Sequence, residues 1–253
     1  MEQKWPQEIW VVRHGQSAGN VARDLAEAAA GHRIDIAERD VDVPLSDLGE
    51  RQSDALGAWF ASLPPAQRPT VVLHSPYVRA AETANLVMRH LDRDDLCVRE
   101  DERLREKEFG VLDRLTTHGI AHDFPDLYEQ RHHVGKFYFR PPGGESWCDV
   151  ILRLRSVMDT LEREFAGERV LIVAHQVTVN CFRYLFEHLT EAQILEFDRN
   201  GDVPNCSVTS YEFDPEAGKR GDLALRLVNF VAPLEQTGTP VTVAKDVASA
   251  PNA

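Results

Sequence analysis

Apolar residues along this chain gather in short runs that stop abruptly at charge. Ile9, Trp10, Val11 and Val12 have the length and β-branched content of a buried strand, and the run ends at Arg13 and His14, with Gly15 just beyond. Residues 70–74 (TVVLH) repeat the design and end in a Ser75–Pro76 turn, with Arg79 at the start of a helix. Residues 169–174 (RVLIVA) give the strongest strand pattern and end at His175. Residues 96–100 read as a further strand, and 206–213 with 223–230 as a closing pair joined through 214–222. Between the strands the period changes to that of helices. Residues 46–63 carry Leu48, Ala55, Leu56, Trp59 and Phe60 on one stripe, capped at Ser46 and stopped by Pro64 and Pro65. Residues 21–30 are rich in helix formers, with Asn20 as the expected cap and Gly31 as the stop. Glu145 and Ser146 open a long helix to about residue 165, and residues 176–189 form another.

Two stretches keep neither period. Residues 34–45 alternate charge and apolarity and read as a surface loop or flap, its Asp and Arg residues solvated. Residues 116–140 hold Phe124, Leu127, Tyr128, Phe137, Tyr138 and Phe139, the composition of a lid that packs its own aromatics; the lid insertion is placed at about 111–145. His118 and His122 stand four apart without the acidic partner of a metal-binding helix, so no metal site is expected. The expected organisation is one domain over residues 1–232 and a loose tail over 233–253, where no aromatic anchor occurs.

With 253 residues, 43% of them hydrophobic, the chain is long enough for one sizeable α/β domain. Neither a signal sequence nor a run of roughly eighteen apolar residues is present, so a cytoplasmic location is expected and no membrane partner. Cys97, Cys148, Cys181 and Cys206 are far apart and fit neither a zinc ribbon nor a disulfide framework. A net charge of −13 disfavours nucleic acid as a partner, because that binding needs broad basic surface. An anionic ligand would therefore need a local basic pocket.

The strand ends supply one. Ligands of open α/β sheets bind beyond the carboxyl ends of the strands, and three such ends present Arg13 with His14, Arg79, and His175. Two guanidiniums suit a phosphate dianion through bidentate, charge-assisted bonds. A neutral imidazole can attack phosphorus, and a carboxylic acid must then protonate the leaving alkoxide. Residues 101–110 (DERLREKEFG) hold several carboxylates; the charge run alone does not select one, and Glu106 is the candidate within reach.

With these pieces in order, the chain resembles the histidine phosphatase superfamily, which includes phosphoglycerate mutases and broad-specificity phosphatases. The resemblance rests on Arg13, His14 and Gly15 with Ser17 and Asn20; on residues 45–49 (LSDLG); on residues 75–79 (SPYVR) with Glu82 and Thr83; on Leu104, Arg105 and Glu106 with Phe109 and Gly110; on Gly144, Glu145 and Ser146; and on Val173, Ala174 and His175. It implies a three-layer α/β/α sandwich around a mostly parallel sheet. It also implies His14 as phosphorylated nucleophile, Arg13, Arg79 and His175 as phosphate ligands, Ser17 and Asn20 as neighbouring donors, and Glu106 as proton donor with Glu108 as second choice. The implied activity is hydrolysis of a small phosphorylated substrate, with no metal or other cofactor. Phosphoglycerate mutase and a non-catalytic phospho-ligand binding module are the alternatives. The chain departs from the mutase pattern at Phe109, where mutases place Tyr, and at Val134 and Gly135, where they place paired arginines; Lys136 and Arg140 are the nearby cations that could still contact an anionic substrate. Gln176 replaces the usual Gly after the second histidine and adds a side chain beside the phosphate.

Overall fold

The computed structural model describes residues 3–243. Its core is a six-stranded sheet built in chain order from β1 (Glu8–Arg13), β2 (Val71–His74), β3 (Cys97–Glu100), β4 (Arg169–Ala174), β5 (Val208–Asp214) and β6 (Asp222–Phe230), arranged β3-β2-β4-β1-β5-β6. The pairs β1–β4, β4–β2 and β2–β3 are parallel, while β5 runs antiparallel to both β1 and β6. The sheet is thus mostly parallel, as the family resemblance implies, and the expected closing pair of strands is an antiparallel hairpin.

Alternation along the strands divides the interior into two layers. Ile9, Val11, Val170 and Ile172 face one side; Trp10, Val12, Leu171 and Val173 face the other. Helices α1 (Ala18–Ala28), α2 (Asp47–Ser62), α3 (Val78–Leu91), α4 (Thr117–Asp123), α5 (Pro125–Val134), α6 (Trp147–Glu164), α7 (Gln176–Phe186), α8 (Glu191–Asn200) and α9 (Ala232–Gln236) complete the described chain. The first layer packs under α6 and α7 through Val150, Leu154, Val157 and Phe182, the second under α2 and α3 through Leu56, Phe60, Ala84 and Val87. These are the three layers. A third, smaller cluster of Leu112, Leu115, Ile120 and Phe139, with Phe124 and Tyr128 against it, holds the lid.

Details of the ends differ from expectation. Helix α1 begins three residues earlier than the pattern suggests: Ser17 is its cap, and Asn20 is the N3 partner of a capping box in which each side chain accepts the other's backbone N–H at 3.1 Å. Phe137 belongs to the main core beside Trp147 and Tyr184 rather than to the lid. The expectation of a loose tail from 233 does not hold for residues 233–243. Pro233 and Leu234 are buried in α9, and Thr242 is hydrogen-bonded to Asn205 and Gln52. The remainder of that tail, residues 244–253, lies outside the described residues. Among the described residues no helix is long and apolar enough to cross a membrane, and the four cysteines are unpaired.

Candidate active site

The register of the parallel strands assembles the site. Arg13 lies beside Ala174 and His74 beside Val173, so the residues that follow each strand emerge at one edge of the sheet. The ladder continues past the strand ends, with His14 N donating to Ala174 O and Ser75 N to Val173 O, both at 3.0 Å. His14 and His175 therefore sit side by side, their ring centroids 5.1 Å apart. Gly15 follows because α2 crosses there: a Cβ at Gly15 would meet Gly49 O at 2.5 Å, and one at Gly49 would meet Gln16 O at 1.9 Å.

His14 is 3% exposed, and its Nδ1 lies 2.6 Å from Gly15 O. A carbonyl oxygen only accepts, so Nδ1 carries the proton and Nε2 the lone pair. Arg79 Nε donates to that Nε2 at 3.3 Å. Burial first, then the charges of Arg79 and Arg13, holds the His14 pKa well below the usual histidine value. His175 is lowered by the same causes, and its Nε2 meets Ser75 Oγ at 2.8 Å.

Beside these rings opens a cavity of about 80 Å³ whose walls include Arg13, His14, Ser17, Asn20, Arg79, Glu106 and Gln176. Seven of the eight expected site residues therefore share one cavity. His175 is fully buried behind it, packed edgewise between the rings of His14 and Tyr77. Of the two carboxylates considered for the acid, Glu106 lines the cavity. Glu108 lies outside it, accepting from Tyr77 Oη at 3.0 Å. Gln176 donates from Nε2 to Asp202 at 2.7 Å. Lys136 is spent on buried Asp198 at 2.6 Å and Arg140 on Asp149, and neither lines the cavity.

Several residues hold this arrangement in roles that the sequence does not reveal. Asn205, fully buried, donates from Nδ2 to His14 O at 3.0 Å and accepts from Thr242 Oγ1 at 3.0 Å. Glu145 anchors the acid segment: it accepts from Arg105 at 2.8 Å, from Arg153 at 3.0 Å and from Glu108 N at 3.1 Å. Arg153 also donates to the carbonyls of Arg103 and Glu106. The flap is more than solvated surface, since Ile34, Ile36, Glu38, Asp40 and Val43 form one wall of the cavity. His122 meets His32 and Asp123 on the exposed side of the lid, with their ligand atoms within 4.8 Å of one another; His118 is not part of this group.

The profile of the Histidine phosphatase superfamily (branch 1) matches residues 9–222, and the chain belongs to that family. It is 30% identical over 196 residues to a 2,3-bisphosphoglycerate-dependent phosphoglycerate mutase 2 of Gloeobacter violaceus, covering 77% of this chain and 82% of the relative. It is also 30% identical to a 6-phosphofructo-2-kinase/fructose-2,6-bisphosphatase of Caenorhabditis elegans, covering 85% of this chain but only 43% of that longer protein. Among solved structures, a mycobacterial glucosyl-3-phosphoglycerate phosphatase in complex with inorganic phosphate superposes with a TM-score of 0.66 at 25% identity, over 90% of this chain and 99% of that one. Relatives of this chain thus include both phosphatases and mutases.

Proposed function

We propose that this protein hydrolyses phosphomonoesters through a phosphohistidine formed on His14. The observation that carries the reading is the fixed tautomer of His14: Nδ1 is held on Gly15 O, which leaves the lone pair on Nε2, and the residue lines a cavity shared with Arg13, Arg79 and Glu106. In the first half-reaction Nε2 forms a bond to phosphorus as the ester P–O bond breaks. The leaving oxygen takes its proton from the Glu106 carboxylic acid. Arg13 and Arg79 carry the charge on the phosphoryl oxygens, and Ser17 and Asn20 stand beside them. Water then attacks phosphorus, Glu106 takes the proton, and the P–N bond breaks to return neutral His14 and phosphate. Support against isomerisation comes from Lys136 and Arg140, the two cations that could have met a phosphoglycerate carboxylate in place of the mutases' paired arginines: both are engaged by aspartates and neither lines the cavity.

Rapid-quench mixing with a ³²P-labelled phosphomonoester is expected to trap label on His14. His14→Ala is expected to lose at least about 10⁴-fold in kcat; a fully active variant contradicts the reading.

A further inference from the structure

Arg79, the residue placed to take the phosphate, already has its guanidinium engaged. Its Nε faces His14, while its two terminal nitrogens both turn to Asp40: one donates to the Asp40 carbonyl oxygen and lies 3.0 Å from Oδ1, and the other is 3.3 Å from Oδ2. The Arg79 side chain is 7% exposed and that of Asp40 is 41% exposed, so the carboxylate reaches the guanidinium from the solvent side of the cavity. A carboxylate forked against a guanidinium presents two anionic oxygens much as a phosphate does.

Asp40 sits in a short 3-10 turn, Asp40–Asp42, within the flap. The neighbouring pair Arg39–Asp42, at 2.5 Å, is exposed and points to no site. Beside Asp40 the same cavity wall carries Glu38 and Asp113, the latter with its carboxyl raised by burial and by the charge of Asp40. Arg114, also in the wall, is committed to the carbonyls of Ile36 at 3.1 Å and Glu38 at 2.7 Å and braces the flap. The wall beside Arg79 therefore carries Glu38, Asp40 and Asp113 together with Arg23 and Arg114, and of these carboxylates Asp40 is the one paired with the Arg79 guanidinium.

We propose that Asp40 is a specificity-determining residue: it competes with the substrate phosphate for Arg79, and it turns away esters whose leaving group carries a second anion near phosphorus. The inference rests on the phosphomonoesterase reading of the cavity and narrows its substrate class to phosphates of uncharged, hydroxyl-bearing alcohols. A phosphate dianion on Arg79 lies within a few ångströms of Asp40, where like charges repel. Asp40 must withdraw with the flap, and it then faces the leaving group. A hydroxyl can donate to it; a carboxylate or second phosphate cannot.

The test reads affinity and discrimination separately. Calorimetry with inorganic phosphate on the wild-type protein and on Asp40→Asn is expected to show about five- to tenfold tighter binding in the variant. Glycerol 3-phosphate and 3-phosphoglycerate share one skeleton and differ by a carboxylate. Titrated into His14→Ala protein with and without Asp40→Asn, they are expected to differ in affinity when Asp40 is present and to converge by about tenfold when it is not. Asp40→Ala should act in the same direction, and Asp42→Asn, in the same turn, should change neither reading. Unchanged or weaker phosphate binding in Asp40→Asn, an unmoved ratio between the two esters, or the same effect from Asp42→Asn overturns the proposal. Failure to trap label on His14 with any ester, alongside tighter phosphate binding in Asp40→Asn, overturns the hydrolytic reading and leaves the competition standing.

Discussion

Two buried imidazoles kept neutral by burial and by arginine set both the chemistry and part of the pH dependence. Because His14 is held well below its ordinary value, its lone pair is available in mildly acidic solution, where a free imidazole would be protonated. The rate should therefore show no acid limb near pH 6.5, which initial-rate measurements of kcat/KM from pH 4.5 to 8 would check. The same shift carries a stability cost of definite sign. Below about 6.5 the unfolded chain takes up a proton on each ring that the folded chain refuses, so stability falls with pH by up to ~1.4 kcal/mol per pH unit for each ring. Glu8 opposes this. Burial and the charge of Glu212 push its pKa from the ordinary 4.5 up to about 7, so between those values the folded chain binds the extra proton and gains stability on acidification. Denaturant unfolding of wild type and His14→Gln between pH 7 and 5 should show a shallower acid loss in the variant, by about one proton. Parallel curves would remove burial as the cause.

Among the elements, the segment that bears the acid is positioned by a contact made far along the chain. Glu145, just before α6, binds the backbone and side chains of residues 105–108, and Arg153 on α6 reaches the carbonyl of Glu106. Glu145→Gln keeps the shape but weakens the charge-assisted bonds. It should lower kcat about 10- to 100-fold, the range found when supporting hydrogen bonds are removed, while inorganic phosphate binds as before, because Arg13 and Arg79 are untouched. Loss of kcat and phosphate affinity together would mark a general collapse of the site instead. Packing is just as strict where α2 crosses the nucleophile loop. Gly49→Ala places a Cβ 1.9 Å from Gln16 O, and the backbone shift required should cost about 1–3 kcal/mol in thermal or denaturant unfolding. These elements differ in how far the sequence reveals them. The strands were legible because β1 and β4 are short β-branched runs, and Arg13, His14 and His175 because each ends or follows such a run. Glu106 is a candidate in a run of several carboxylates that charge alone does not separate, and the family resemblance is what sets it ahead of Glu108. Glu145 was legible as part of a motif but not as an anchor, since no period in sequence links residues 108 and 145. Asp40 is not legible as a partner of Arg79, because an acidic residue in a charged flap looks alike whether it faces water or a guanidinium.

At the scale of the whole molecule, the C-terminal stretch and the nucleophile are one structure. The expectation of a loose tail came from composition, which registers aromatic anchors but not a single buried Leu234 or a threonine with two side-chain partners. Thr242 Oγ1 donates to Asn205 Oδ1 at 3.0 Å and accepts from Gln52 Nε2 at 2.9 Å. Asn205 in turn holds the carbonyl of His14, and Gln52 accepts from Gln16 N at 2.9 Å. Both routes from Thr242 therefore end in the loop that carries the nucleophile. Thr242→Val keeps the volume and removes the hydroxyl, leaving Asn205 and Gln52 each short of a partner. Buried polar groups left unpaired cost about 1–3 kcal/mol, which chemical denaturation would register. Leu234→Ala should cost about 2–5 kcal/mol through the cavity it leaves in the second layer, with no polar group orphaned. The two variants separate packing from positioning. Each destabilises, but Thr242→Val should also lower kcat at temperatures where the fold is intact, because only it loosens the backbone on which His14 Nδ1 is fixed. Equal kcat in the folded forms of both would confine the tail to a structural part.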